Sequence, residues 1–138
     1  ANVITPIQAI NAINIIATTD KTYKPKIVMS SPAVAIKSGI SNSILYSLQN
    51  ALFSVVNDSK GTAYNIKKNK AILRGKTGTA QSKSKSSSDG LISWFLGYVE
   101  FENRTMSIVV VIENTDTSNK GIAKKITSEI IDFEIERN

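Results

Sequence analysis

Leu91-Ile92-Ser93-Trp94-Phe95-Leu96-Gly97-Tyr98-Val99, followed across Glu102-Asn103-Arg104 by Thr105-Met106-Ser107-Ile108-Val109-Val110-Val111-Ile112-Glu113, decides the fold. Aromatic and β-branched residues dominate both runs, and the polar tripeptide between them is short enough to close a hairpin. A third extended run, Ala71 to Gln81, comes just before, broken by Gly75 and Gly78, which strand propensity alone would not choose. Ser82 to Gly90 separates the two as a polar Ser/Lys tract, read as a loop with a turn at Asp89-Gly90. Three strands without an intervening helical pattern predict an antiparallel three-stranded meander.

Helical periodicity flanks these strands on both sides. Thr5 is placed to cap a helix, Pro6 suits its first position and Gln8 completes a capping box, so a helix is predicted over Pro6–Thr18. Ile10, Ile13, Ile16 and Ala17 would line its buried face. Asp20 to Tyr23 reads as a turn, Ile27 to Met29 as a short extended piece and Ser30 to Gly39 as irregular. A second helix is expected from Ser41 or Ser43, with Leu45, Leu48, Leu52 and Val55 as its stripe and Gly61 ending it. From Gly121 onward Ile122, Ile126, Ile130 and Phe133 predict a last helix. The class is α+β, helices covering an antiparallel sheet, with residues 1–138 as one segment and no internal boundary.

Composition narrows the chemistry. The 138 residues contain no cysteine and no histidine. Thiolate nucleophiles, disulfides, Cys or His metal sites and a Ser-His-Asp triad are thereby excluded, leaving hydroxyls, lysines, carboxylates and backbone amides. Lys+Arg outnumber Asp+Glu by 17 to 11, a net charge of +6. The lysines are scattered, and no basic helix or aromatic platform accompanies them, so no nucleic-acid partner is expected. The longest apolar run, Ile108 to Ile112, is far short of the roughly 20 residues of a membrane span. No signal peptide is visible, and Ala1 as first residue suggests a chain cut from a longer one.

Gly75-Lys76-Thr77-Gly78-Thr79-Ala80-Gln81 carries the chemistry. A Walker-type phosphate loop would need glycine at position 70, which is Lys70, and a turn opening a helix rather than a strand. Two readings remain: a strand whose glycines admit a neighbouring backbone, or an active-site edge. Strand alternation puts the Thr77 and Thr79 hydroxyls on one face and Lys76 on the other. Gly78 would leave room for an extended ligand adding to the edge through main-chain hydrogen bonds. The hydroxyls could hold a carboxylate, and the lysine would supply positive potential. Such an edge suits a ligand that joins a peptide-like backbone to an anionic end.

Lys76-Thr77-Gly78 resembles the third signature of the penicillin-binding protein and serine β-lactamase superfamily, and Gly75 to Gln81 is most similar to class B penicillin-binding proteins, which cross-link peptidoglycan. Val3-Ile4-Thr5-Pro6-Ile7-Gln8, Val55-Val56-Asn57-Asp58 with Gly61-Thr62-Ala63, Trp94-Phe95-Leu96-Gly97-Tyr98 and Val109 to Glu113 resemble further segments in the same order. The Asn57-Asp58 to Gly61-Thr62-Ala63 spacing leans to the elongation-type branch, like penicillin-binding protein 2. The resemblance implies that the three strands form the C-terminal part of a five-stranded transpeptidase sheet. It implies that Lys76 steadies the nucleophile and the substrate carboxylate, and that the Thr77 and Thr79 hydroxyls bind that carboxylate. The Thr79 N–H would be an oxyanion-hole donor, and Gly75 and Gly78 would serve close approach. The implied partners are a peptidoglycan stem peptide, β-lactams and the N-terminal half of the same domain. No metal or organic cofactor is implied, and the location would be the outer, periplasmic face of the cytoplasmic membrane, with a membrane-anchored parent.

The superfamily's Ser-x-Asn motif is absent from the sequence, and its Ser-x-x-Lys motif occurs only as Ser82 to Lys85, in the polar tract. A nucleophile needs a protected helix start with its lysine one turn away, so this match is read as chance and the chain alone as inactive. Without flanking strands from an N-terminal half, Thr105–Glu113 would present an apolar edge prone to self-association. Trp94, Phe95 and Tyr98 are read as core, Thr62 and Tyr64 as turn and packing residues, and Glu113, Asp116 and Glu129 as solvated surface. Two other readings stand beside the transpeptidase: a class D β-lactamase or β-lactam sensor domain, which share Lys-Thr-Gly and Trp-Phe-x-Gly-Tyr, and a non-catalytic basic module for anionic polymers.

Overall fold

A computed structural model of the chain describes residues 4–26, 28–81 and 90–137. The elements in order are α1 (Pro6–Ala17), β1 (Thr22–Tyr23), β2 (Ala35–Ile36), α2 (Asn42–Asn57), a 3₁₀ turn (Tyr64–Ile66), β3 (Ile72–Gln81), β4 (Leu91–Phe101), β5 (Arg104–Thr115) and α3 (Ile122–Glu136). β3, β4 and β5 form an antiparallel sheet in that order, so the expected α+β class and meander hold. The β4–β5 hairpin is tighter than the sequence suggested. Phe101 pairs with Arg104 across a two-residue turn, Glu102-Asn103, in which Glu102 takes φ 51.

Helices cover both faces. On one side Phe95, Val99 and Phe101 of β4 and Leu73 of β3 join Ala123 and Ile131 of α3 and Val56, Ala63 and Ile66 in a single core. On the other, Tyr98 is buried, with the Arg74 guanidinium over its ring and, in turn, over Phe53 of α2. Arg74 also pairs with Glu100 across the strands. Burial pushes the Tyr98 phenol up from its ordinary range, against the opposing pull of Arg74. α1 packs on β4 and β5. Phe95 and Tyr98 are therefore core residues as expected, whereas Trp94 is half-buried.

The first helix starts as its sequence dictates. Thr5 Oγ1 accepts from Gln8 N–H, and Gln8 Oε1 accepts from Thr5 N–H at 2.8 Å, a complete capping box. Its fully buried residues are Ala9 and Ile13, with Ile10, Ile16 and Ala17 half-buried, so the face is centred nearer Ala9 than expected. α3 has no side-chain cap of its own at Gly121. Ser93 of β4 supplies it from a distance, accepting from Ala123 N–H at 3.3 Å and donating to Lys120 O at 2.8 Å. A second tie comes from Lys68, whose ammonium reaches the Ser128 hydroxyl at 2.7 Å and Asp132 at 2.6 Å on α3.

Several expectations are corrected. The stretch Ser30 to Gly39 is not wholly irregular, because Thr22–Tyr23 pairs with Ala35–Ile36 and Asp20 accepts from the Ser38 N–H at 2.6 Å. Val28 and Met29 lie in a bend and turn rather than an extended piece, and Ile27 lies outside the described residues. In α2, Leu45 and Val56 are buried and Leu52 and Val55 half-buried, whereas Leu48 is exposed. α2 ends at Asn57 with Asp58 as its C-cap. Gly61 does not terminate it: the chain folds back there so closely that a Cβ would lie 2.2 Å from Val55 O. In α3 the buried side is Ala123, Thr127 and Ile131, while Ile130 and Phe133 face outward. At the helix start, where Ser93 holds α3 against β4, the buried residue is the small Ala123.

Candidate active site

β3 is an edge strand, and its register with β4 runs unbroken from Ile72 opposite Glu100 to Gln81 opposite Leu91. In an antiparallel ladder, alternate residues turn both main-chain groups toward the same neighbour. Leu73 O accepts from the Asn57 side-chain amide at 2.9 Å, and Thr77 O from Lys76 Nζ at 2.5 Å. Both carbonyls thus face away from β4. The unbroken register gives Gly75 and Thr79 the same outward direction, so the N–H groups of Thr77 and Thr79 lie along the open edge.

The residues singled out in the sequence converge on this edge. Thr79 and Lys76 are exposed, and Thr77 and Gly78 half-buried. Alternation alone sets Lys76 apart from Thr77, but its ammonium curls around the strand to the Thr77 carbonyl. The glycines differ in what they permit. A Cβ on Gly75 would lie 2.4 Å from the Phe95 ring, and one on its partner Gly97 would lie 2.2 Å from Arg74 O. Close approach is thus a strict requirement at that seam. A Cβ on Gly78 would meet only the Trp94 side chain, at 3.3 Å.

Thr62, which the sequence marked as a turn residue, is the addition. Its hydroxyl lies 2.9 Å from that of Thr77, and its carbonyl accepts from Lys124 of α3 at 2.9 Å. No local pattern links positions so far apart in the chain; the only sequence signal was the resemblance around Gly61-Thr62-Ala63. Beside it a cleft of ≈350 Å³ separates the end of α2 from Lys76, with Asp58, Lys60, Gly61 and Thr62 on its walls. Asp58 accepts from the Lys60 N–H at 2.8 Å and, among the described residues, is the one carboxylate-bearing residue on those walls, against the two lysines Lys60 and Lys76. The balance favours an anion. The Ser82–Lys85 match and the turn residue Asp89 lie outside the described residues, as does Val3.

The geometry therefore offers outward N–H groups for an extended ligand, hydroxyls at Thr77 and Thr79 and an ammonium at their side. A family model described as "Penicillin binding protein transpeptidase domain" matches residues 3–132. The chain is 40% identical over 65 residues to penicillin-binding protein 3 of Bacillus subtilis (strain 168), a match covering 46% of the chain and 10% of that protein. Its fold is similar to that of penicillin-binding protein 2B from Streptococcus pneumoniae (strain R6), with a TM-score of 0.79 and 19% identity, covering 97% of this chain and 25% of the other. The TP domain of Burkholderia pseudomallei penicillin-binding protein 3 matches with a TM-score of 0.67 and 17% identity, over 94% of this chain and 43% of that one. The chain thus spans a minor part of each of these relatives.

Proposed function

Since this chain belongs to the penicillin-binding protein transpeptidase family, we propose that it supplies the substrate-edge strand of a peptidoglycan D,D-transpeptidase of class B, in the elongation-type branch. The observation that carries the proposal is the outward-facing edge of β3 at Thr77 and Thr79, with the Lys76 ammonium against it. An acyl-D-alanyl-D-alanine stem peptide, or a β-lactam resembling it, lies along this edge as an added strand. The Thr77 and Thr79 hydroxyls hold its carboxylate, and Lys76 adds positive potential. The Thr79 N–H donates to the oxyanion that develops when the scissile carbonyl is attacked.

The nucleophile comes from a Ser-x-x-Lys segment outside these 138 residues, and the chain alone is inactive. Residues 1–138 form one segment of the domain, which works on the outer face of the cytoplasmic membrane. Among the described residues, no helix is long and apolar enough to cross a membrane.

Fluorescent penicillin provides the test. The 138-residue chain should take up no stable label; stable acylation would reveal a nucleophile within it and overturn the assigned division of labour. In a longer polypeptide that adds the Ser-x-x-Lys segment, Lys76→Ala should slow acylation by about 10²-fold or more, and Thr79→Val, which keeps the backbone N–H and loses the carboxylate-binding hydroxyl, by about tenfold or more. Labelling near the wild-type rate would remove the roles assigned to these residues. In that polypeptide the acyl-enzyme should persist; rapid deacylation would instead identify a class D β-lactamase. Salt-sensitive retention of an anionic polymer, unaffected by Lys76→Ala, would favour the basic binding module.

A further inference from the structure

We propose that Thr62 is a positioning residue for Thr77: its hydroxyl donates to Thr77 Oγ1, leaving the Thr77 proton free for the carboxylate of a ligand. The inference rests on reading the β3 edge as a carboxylate site, and deepens it.

Thr62 is anchored from several sides. Gly61 N–H donates to Asp58 O at 2.9 Å, closing the turn that carries it. Ala63, next in the chain, is buried and donates its N–H to Val55 O of α2 at 3.0 Å. Lys124 of α3 holds the Thr62 carbonyl at 2.9 Å. A side chain at position 61 would collide with the Val55 and Ser54 carbonyls, so the turn has little freedom to shift. From this fixed support the Thr62 hydroxyl meets Thr77 Oγ1 at 2.9 Å.

The oxygen separation does not say which hydroxyl donates; the ligand's chemistry does. A hydroxyl has one proton to give and lone pairs to receive, whereas an ionised carboxylate can only accept. A Thr77 hydroxyl bound to a carboxylate must spend its proton there. Its oxygen then receives from Thr62, and the order is Thr62 to Thr77 to carboxylate, each bond polarising the next. Thr62 also holds the Thr77 side chain in the one rotamer that keeps this chain of donors aligned. Lys124 links α3 to the same relay through the Thr62 backbone.

The test has two independent readings on the isotopically labelled chain. Three-bond couplings from the Thr77 methyl carbon report its χ1 angle without any ligand. A single rotamer is expected in the wild type, averaging in Thr62→Val, and recovery in Thr62→Ser, with unchanged α3 and β4 amide resonances as the check on folding. An unaltered Thr77 rotamer in Thr62→Val overturns the positioning role. The second reading compares N-acetyl-D-alanyl-D-alanine with its C-terminal amide, followed at the Thr77 and Thr79 amides. Thr62→Val should weaken the carboxylate probe by roughly fivefold to tenfold, the worth of one neutral hydrogen bond, and leave the amide probe unchanged. Equal losses for both probes mark a merely structural effect and overturn the donor order. Failure of the carboxylate probe to bind the wild-type chain, or full discrimination retained in Thr77→Val, brings down the underlying site assignment instead, with the rotamer result still standing apart.

Discussion

Along the outer edge of β3, Asn57 takes the Leu73 carbonyl, Lys76 takes that of Thr77 and Thr62 meets the Thr77 hydroxyl, whereas the outer edge of β5 has no strand partner among the described residues. The materials differ as much as the surroundings. β3 alternates threonine, glycine and lysine through its open half, while β5 runs Ile108-Val109-Val110-Val111-Ile112 through its centre. Both are ends of one sheet, with main-chain groups turned away from it. What separates a binding edge from a sticky one is the element beside it: α2 and the turn at Thr62 dress β3 with polar groups, while among the described residues no strand pairs with the outer edge of β5. The expectation of self-association through Thr105–Glu113 follows from that contrast.

Substitution should cost most at the seam that holds β3 in place. Gly97→Ala would force a Cβ against Arg74 O and the Gly75 backbone, and should cost about 3 kcal/mol or more in denaturant melts. Gly78→Ala, on the same strand but facing only the Trp94 side chain, should cost less than about 1 kcal/mol. Equal losses would mean that the edge, rather than the seam, fixes β3. At the other edge, Thr105→Lys combined with Ser107→Lys should convert self-associating chain to monomer in sedimentation equilibrium, because charged edge residues resist strand addition. A wild-type chain already monomeric at high concentration would remove the contrast between the edges. Ser93→Ala should lower stability by about 1–2 kcal/mol through loss of the α3 cap, leaving both edges chemically intact.

The smallest effect is a pH dependence at Asp116, on the β5 side. The Ser118 hydroxyl, followed by the Asn119 N–H, holds the Asp116 carboxyl below its ordinary 3.8, just past the end of β5. A depressed carboxyl contributes its stabilisation in full above the unfolded value and loses it as pH falls through the folded one. Asn119 amide shifts should therefore titrate with a midpoint below 3.8, while the Thr62–Thr77 hydroxyl pair stays unchanged in that range. A midpoint at or above 3.8 would contradict the hydrogen bonds assigned to this loop.

The strands and the first two helices were legible because their signals are local: a cap at Thr5, a stripe on α2, alternation in β4 and β5. The candidate residues Lys76, Thr77, Gly78 and Thr79 were legible together because they share one strand. Two-residue strands such as Thr22–Tyr23 and Ala35–Ile36 carry no period to read. The face of α3 was misread because large apolar residues attract attention, yet Phe133 is 59% exposed and buried Thr127 satisfies its hydroxyl on Ala123 O within the helix. Gly61 resembled a helix terminator, although its small size serves the fold-back against α2. Contacts between Thr62, Thr77 and Lys124 join a turn, a strand and a helix, and only the folded chain brings them together.

The capping of α3 by a residue of β4 has a kinetic corollary. Gly121 offers the first turn of that helix no side-chain acceptor, and Ser93 becomes available only once the hairpin has closed. Nucleating a helix is the unfavourable step, so α3 gains its footing after the strands have paired and frays first when they part. In native-state hydrogen exchange the amide of Ala123 should open with the β4–β5 unit rather than with its own helix, making the final segment of the chain a reporter on whether the hairpin has formed.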